Sequence, residues 1–121
     1  MELQSEMYEM GMLMDFYGSL LTDSTLEVLD MYYNQDMSLA EIGEMLGISR
    51  QGVHSFVTKG KQQLTELERK LGLYSRFRKI KAQLEDVQTD FEQIDRSALS
   101  AYEARLLDRM HQKVTDVIAG L

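Results

Sequence analysis

The side chains best suited to chemistry cluster in one short stretch of this 121-residue chain. Ser49, Arg50, Gln51, His54, Ser55, Thr58, Lys59 and Lys61 follow one another at helical spacing, with no acid among them. Groups of this kind suit nucleic-acid binding. Arginine can pair with the guanine edge and glutamine with the adenine edge through two hydrogen bonds. Hydroxyls and ammonium groups meet phosphate oxygens, which position a protein without reading sequence. Arg50 and Gln51 are therefore expected at base edges, and Ser55, Thr58, Lys59 and Lys61 at phosphates. Ser49 would cap the helix that carries them, and His54 would share its outward face.

Other chemistries find less support. There are two histidines, His54 and His111, and no cysteine. They are far apart and lack metal-ligand spacing, so no metal is expected. No Ser-His-Asp order, glycine-rich phosphate loop or paired buried carboxylate stands out. The expectation is a non-enzymatic protein without a cofactor.

Positioning the polar face requires a particular local fold. Ser38 can cap a short helix, with Glu41 completing a capping box. Gly43 supplies the small residue that a steep helix crossing needs, and Gly47 can take the left-handed backbone of a tight turn. Ser49 can cap the next helix. Ile42, Leu46, Ile48, Val53 and Phe56 occupy the offsets of the buried side. The alternative is a plain helical hairpin, but so many coincident features favour a helix-turn-helix.

Helical periodicity fills nearly the whole chain, proline is absent, and no alternating strand run is found. The fold class is all-α, with about six helices. The first is expected over residues 3–20, with Leu3, Met7, Met10, Met14, Tyr17 and Leu21 on its apolar stripe. The methionines read as core or dimer packing. Thr22 would cap the second helix, carrying Leu26, Leu29, Met31 and Tyr33. The third and fourth form the helix-turn-helix, the fourth ending near Gly72. A fifth carries Leu73, Phe77, Ile80, Leu84, Val87, Phe91 and Ile94. The sixth starts at Ser97 or Ser100. This divides the chain into a helix-turn-helix domain, 1–72, and a C-terminal segment for dimerisation or packing, 73–121.

Charge is unevenly distributed. The formal net charge is −7, yet residues 50–81 carry a local excess of +7, flanked by −10 in residues 1–49 and −4 in residues 82–121. Phosphates respond to the local field rather than to the total, so an acidic chain can present a basic face. The alternative is that these bases pair with the acidic ends. No apolar run is long enough to span a membrane, and "MELQSEMYEM" lacks the bases of a signal peptide. A cytoplasmic protein is expected.

The stretch "DFYGSLLTDSTLEVLDMYYNQDMSLAEIGEMLGISRQGV", followed by "LERKLGLYSRF", resembles the YlxM-like family of bacterial helix-turn-helix proteins. The resemblance covers about residues 13–80, and Ser49, Arg50 and Gln51 match as they stand. It implies a domain similar to the promoter-recognition region of bacterial sigma factors. It also implies a link to the signal recognition particle, whose genes usually neighbour those of the family; the helix-turn-helix and the basic segment themselves leave duplex DNA or structured RNA as partner. In an alternative role the helix-turn-helix is a scaffold, and the chain is a protein-binding accessory factor of that particle. A homodimer would let two recognition helices face one duplex. Gly52 stands where the family tends to carry a larger residue, and Thr58-Lys59-Gly60 where it carries a basic pair.

Overall fold

The computed structural model describes residues 2–121, with side chains from Ser5 onward. The Leu3 side chain lies outside the described residues. Six α-helices follow in order: α1 Glu2–Tyr17, α2 Asp23–Leu29, α3 Leu39–Leu46, α4 Arg50–Leu71, α5 Leu73–Glu92 and α6 Ala101–Ala119. The described residues contain no strand. The chain forms two units, one ending at Tyr74 and one running from Ser75 to Leu121.

In the first unit, α4 packs against α1, α2 and α3. Its core is built from Met10, Leu13, Met14, Tyr17, Val28, Leu29, Ile42, Val53 and Leu64, all buried. Met10 and Met14 are thus core residues of their own chain, while Met7 is only half-buried. Met10 and Met14 are therefore not free for a dimer contact.

Local chemistry sets the helix limits. α1 ends three residues before the sequence suggests, and Gly18–Leu20 tighten into a 3₁₀ turn. A Cβ on Gly18 would lie 3.1 Å from Leu26 Cδ1, so its bare Cα lets the turn settle onto α2. Thr22 caps α2, its hydroxyl accepting from the Thr25 amide at 3.2 Å. α2 then widens into a π-helical turn, Asp30–Asn34. Asp30 is tied at that turn by Asn34 and Gln35, whose amides donate to its two carboxylate oxygens at 2.7 and 2.8 Å. These two bonds hold the Asp30 carboxyl below its usual range.

Two close contacts fix the frame around α4. Gly60 lies buried against α2, where a Cβ would come within 2.6 Å of Leu29 Cδ1. Glycine at this position lets the two helix axes approach. At the far end of α4, the buried Tyr17 hydroxyl donates to Glu68 Oε1 at 2.6 Å and accepts from the Leu73 amide at 3.1 Å. The same carboxylate oxygen accepts from the Tyr74 amide at 3.0 Å. One tyrosine thereby joins α1 to the α4–α5 junction, where Gly72 takes the left-handed backbone at φ 63°. Burial, and then the bond to Glu68, raise the Tyr17 pKa above its usual 10.0.

In the second unit, α5 from Ser75 on pairs antiparallel with α6. Gln88 bonds Thr115 at 3.2 Å, Phe91 meets His111 edge-on at 5.2 Å, and Arg96 pairs with Asp108 at 2.6 Å. Ser100, rather than Ser97, caps α6, with Glu103 closing a capping box. Ser97 belongs to a short 3₁₀ turn capped by Asp95. No residue of this unit is buried.

Candidate nucleic-acid interface

The helix-turn-helix is formed by α3, a three-residue turn and α4. At the start of α3, the Ser38 hydroxyl accepts from the Glu41 amide at 3.1 Å, and the Glu41 carboxylate accepts from the Ser38 amide at 3.2 Å. These two bonds hold the Glu41 carboxyl below its ordinary value. Gly47 ends α3 in the left-handed conformation, φ 71° and ψ 31°. Ser49 then caps α4, its hydroxyl accepting from the Gly52 amide at 3.0 Å.

Gly43 has a sharper role than the sequence suggests. A Cβ there would lie 2.7 Å from the Ile48 carbonyl oxygen, a backbone atom of the turn. The close approach is thus to the turn and not to the body of α4. Gly43 also accepts the Ile48 amide at 3.0 Å, which folds the turn back onto α3. Of the five apolar offsets, Ile42 and Val53 are fully buried and Leu46 and Phe56 are half-buried. Ile48 is 38% exposed, since the turn holding it lies at the surface.

The polar face is exposed. Ser49, Arg50, Gln51, His54, Ser55, Thr58 and Lys59 all lie open to solvent, and Lys61 is half-buried. Val53, Val57, Gly60 and Leu64 form the opposite, buried side of α4. Their spacing of four, three and four keeps the outward stripe of Gln51, Ser55, Thr58 and Gln62 away from the core.

The basic charges fall into two classes. Lys61 is ion-paired to Glu6 of α1, and this bond raises its pKa. Glu66 binds Arg69 through two hydrogen bonds, at 2.6 and 2.9 Å, with Lys70 at 3.7 Å. The Arg69 contact pulls the exposed Glu66 carboxyl down to about 2. Arg50 and Lys59 have no ion pair among the described residues. Internal pairing therefore takes up part of the basic segment, and leaves the start of α4 open.

Sequence reasoning missed three features here: the Tyr17–Glu68 bond, the Lys61–Glu6 pair and the contact of Gly60 with Leu29. The first two join residues more than fifty positions apart. Gly60 alone left a trace, as a glycine at a core position of an otherwise regular helix. Among the described residues, no group of three or more His, Cys, Asp or Glu is placed to hold a metal ion. Among the described residues, no helix is long and apolar enough to cross a membrane.

The family model "Putative helix-turn-helix protein, YlxM / p13 like" matches residues 4–101. The UPF0122 protein of Acetivibrio thermocellus is 40% identical over 113 residues, covering 93% of this chain and 97% of that one. Its counterpart in Thermoanaerobacter sp. is 45% identical over 83 residues, covering 69% and 71%. That of Desulforamulus reducens is 43% identical over 72 residues, covering 60% and 62%. No solved structure matches the chain. An all-α architecture, a glycine-set turn between α3 and α4, and a match over most of its length agree: the chain belongs to the UPF0122 family of YlxM / p13-like helix-turn-helix proteins.

Proposed function

We propose that this chain is a non-enzymatic regulatory protein that binds nucleic acid through the first turns of α4. The observation that carries this reading is the exposed face of α4, which holds no acid from Arg50 through Thr65. Arg50 and Lys59 lie on it without an ion pair among the described residues. Duplex DNA suits this face best. An α-helix fits the major groove of B-form DNA, whereas the corresponding groove of RNA is too deep and narrow to read. Arg50 and Gln51 address base edges; Ser55, Thr58 and Lys59 address phosphates. Ser49 orders the helix start, where backbone amides also favour an anion. Lys61 contributes only when it gives up Glu6.

The segment from residue 73 on supports a homodimer. It exposes Ile80, Val87, Ile94, Tyr102, Met110 and Val117, and no residue from Ser75 onward is buried. A second copy would cover this apolar surface and bring two recognition helices to one duplex. Light scattering at micromolar concentration should give twice the chain mass; a monomer overturns the two-site docking.

The second reading, favoured by the acidic charge of α1 to α3, is an accessory factor of the signal recognition particle acting in the cytoplasm. Anisotropy titrations with random duplex DNA over a salt series separate the two. Binding should weaken with a log–log slope of about −0.9 for each phosphate contact. Absence of binding to duplex DNA and to structured RNA at low salt refutes the nucleic-acid reading.

A further inference from the structure

Beside the outward face of α4, in the first unit, lies an open groove of about 1120 Å³. The flank of α4 walls one side, and α1, the π-helical turn and the start of α3 wall the rest. Its apolar surface comes from Met7, Met37, Leu39 and Val57. Tyr32 and Tyr33 also line it, their rings edge-on at 4.9 Å. The π-helical turn places both tyrosines on this wall, and such turns are frequent at functional sites. The volume exceeds the roughly 300–1,000 Å³ of small-molecule pockets, and the opening is wide.

The charge of the groove is one-sided. Glu6, Asp36, Glu41 and Glu66 line it, against one permanent cation, Lys61. Glu6 is taken by Lys61, and Glu66 by Arg69 and Lys70. Asp36 and Glu41 have no cationic partner among the described residues. An apolar floor with uncompensated carboxylates on its rim complements a segment with apolar side chains on one face and lysine or arginine on the other.

We infer that this groove docks a basic amphipathic segment of a protein partner. The chain's own basic stretch, Arg69 to Lys81, is the less suitable occupant. Arg69 and Lys70 are already engaged by Glu66 on their own helix. His54 and Thr58 line the groove and also stand on the α4 face assigned to nucleic acid. A docked segment and a duplex therefore exclude one another. That exclusion, unlike the groove itself, rests on the nucleic-acid reading.

The test uses the full chain and a fluorescent synthetic amphipathic peptide of lysine and leucine, followed by anisotropy. A counterpart with glutamate for lysine is the first control. Thr65→Lys places a cation on the exposed groove wall, and Ser19→Lys places the same charge on an exposed site outside it. The lysine peptide should bind and the glutamate peptide should not. Thr65→Lys should weaken binding about tenfold, the effect of one like charge at the contact, while Ser19→Lys leaves it unchanged. Asp36→Asn, which keeps a residue tolerant of the positive φ of 53°, should also weaken it. Unlabelled duplex DNA, at concentrations that leave the anisotropy of the free peptide unchanged, should displace the peptide. Equal weakening by Thr65→Lys and Ser19→Lys, or equal binding of both peptides, overturns the groove. So does self-association of the free chain that Thr65→Lys abolishes, because the occupant would then be a second copy. Peptide binding in a chain that never binds a duplex supports the groove and refutes the nucleic-acid reading. Binding of both without displacement refutes the exclusion.

Discussion

Gly43→Ala separates the turn geometry from ordinary helix propensity, because the two act in opposite directions. In an exposed helix interior, replacing glycine by alanine stabilises by about 1 kcal/mol. Here the added Cβ would lie 2.7 Å from the Ile48 carbonyl, while ordinary contact begins at 3.4 Å, so about 0.7 Å must be found. The neighbour is backbone and cannot rotate away. Moving it also stretches the 3.0 Å bond from the Ile48 amide to the Gly43 carbonyl, which contributes about 0.5–1.5 kcal/mol. Overpacking of this kind costs about 1–3 kcal/mol. Set against the propensity gain, the net should be a loss of about 1–3 kcal/mol. For a unit the size of residues 1–74, each kcal/mol lowers Tm by about 4–8 °C. Circular dichroism melting of the parent and the variant reads it directly. Gly47→Ala is the control: it meets no atom within 4 Å, but its φ of 71° strains alanine by about 1–2 kcal/mol. A Gly43→Ala protein as stable as the parent, or more so, would show that α3 does not press on the turn.

Tyr17→Phe removes a donor to a carboxylate and should cost about 1.5–3 kcal/mol. The parent, with the Tyr17 pKa raised in the fold, holds this stability below pH 10.0 and loses it as pH climbs through the higher folded value. The alkaline loss measured by urea titration should be smaller in the variant. Gly60→Ala should destabilise by about 1–3 kcal/mol through the clash with fully buried Leu29. In a cycle with Leu29→Ala the two losses should fall short of additive, and full additivity would place the contact elsewhere. Lys59→Ala should flatten the salt slope of duplex binding by about 0.9, whereas Glu6→Gln should steepen it by a similar amount by releasing Lys61. An unchanged slope in Glu6→Gln would show that Lys61 faces no phosphate even when freed.

The sequence by itself determined the elements and the turn. Ser38, Glu41, Gly47 and Ser49 act through bonds that span three to five residues, so their spacing states their roles. Helix existence followed from period alone, because each amphipathic helix carries its own apolar stripe. The polar face of α4 was legible for the same reason: residues three and four apart share a side. Charge was not legible in this way. Lys61 and Lys59 are alike in sequence, yet Glu6 of α1 holds one and nothing described holds the other. Only the tertiary structure decided that, since ion pairing depends on which helices meet. It also decided that Met10 and Met14 are core, and that Gly60 is the approach point of α2 and α4. The same holds for Tyr17, which ties α1 to the α4–α5 junction. Each of these contacts joins residues distant along the chain, and local periodicity carries no information about such distances.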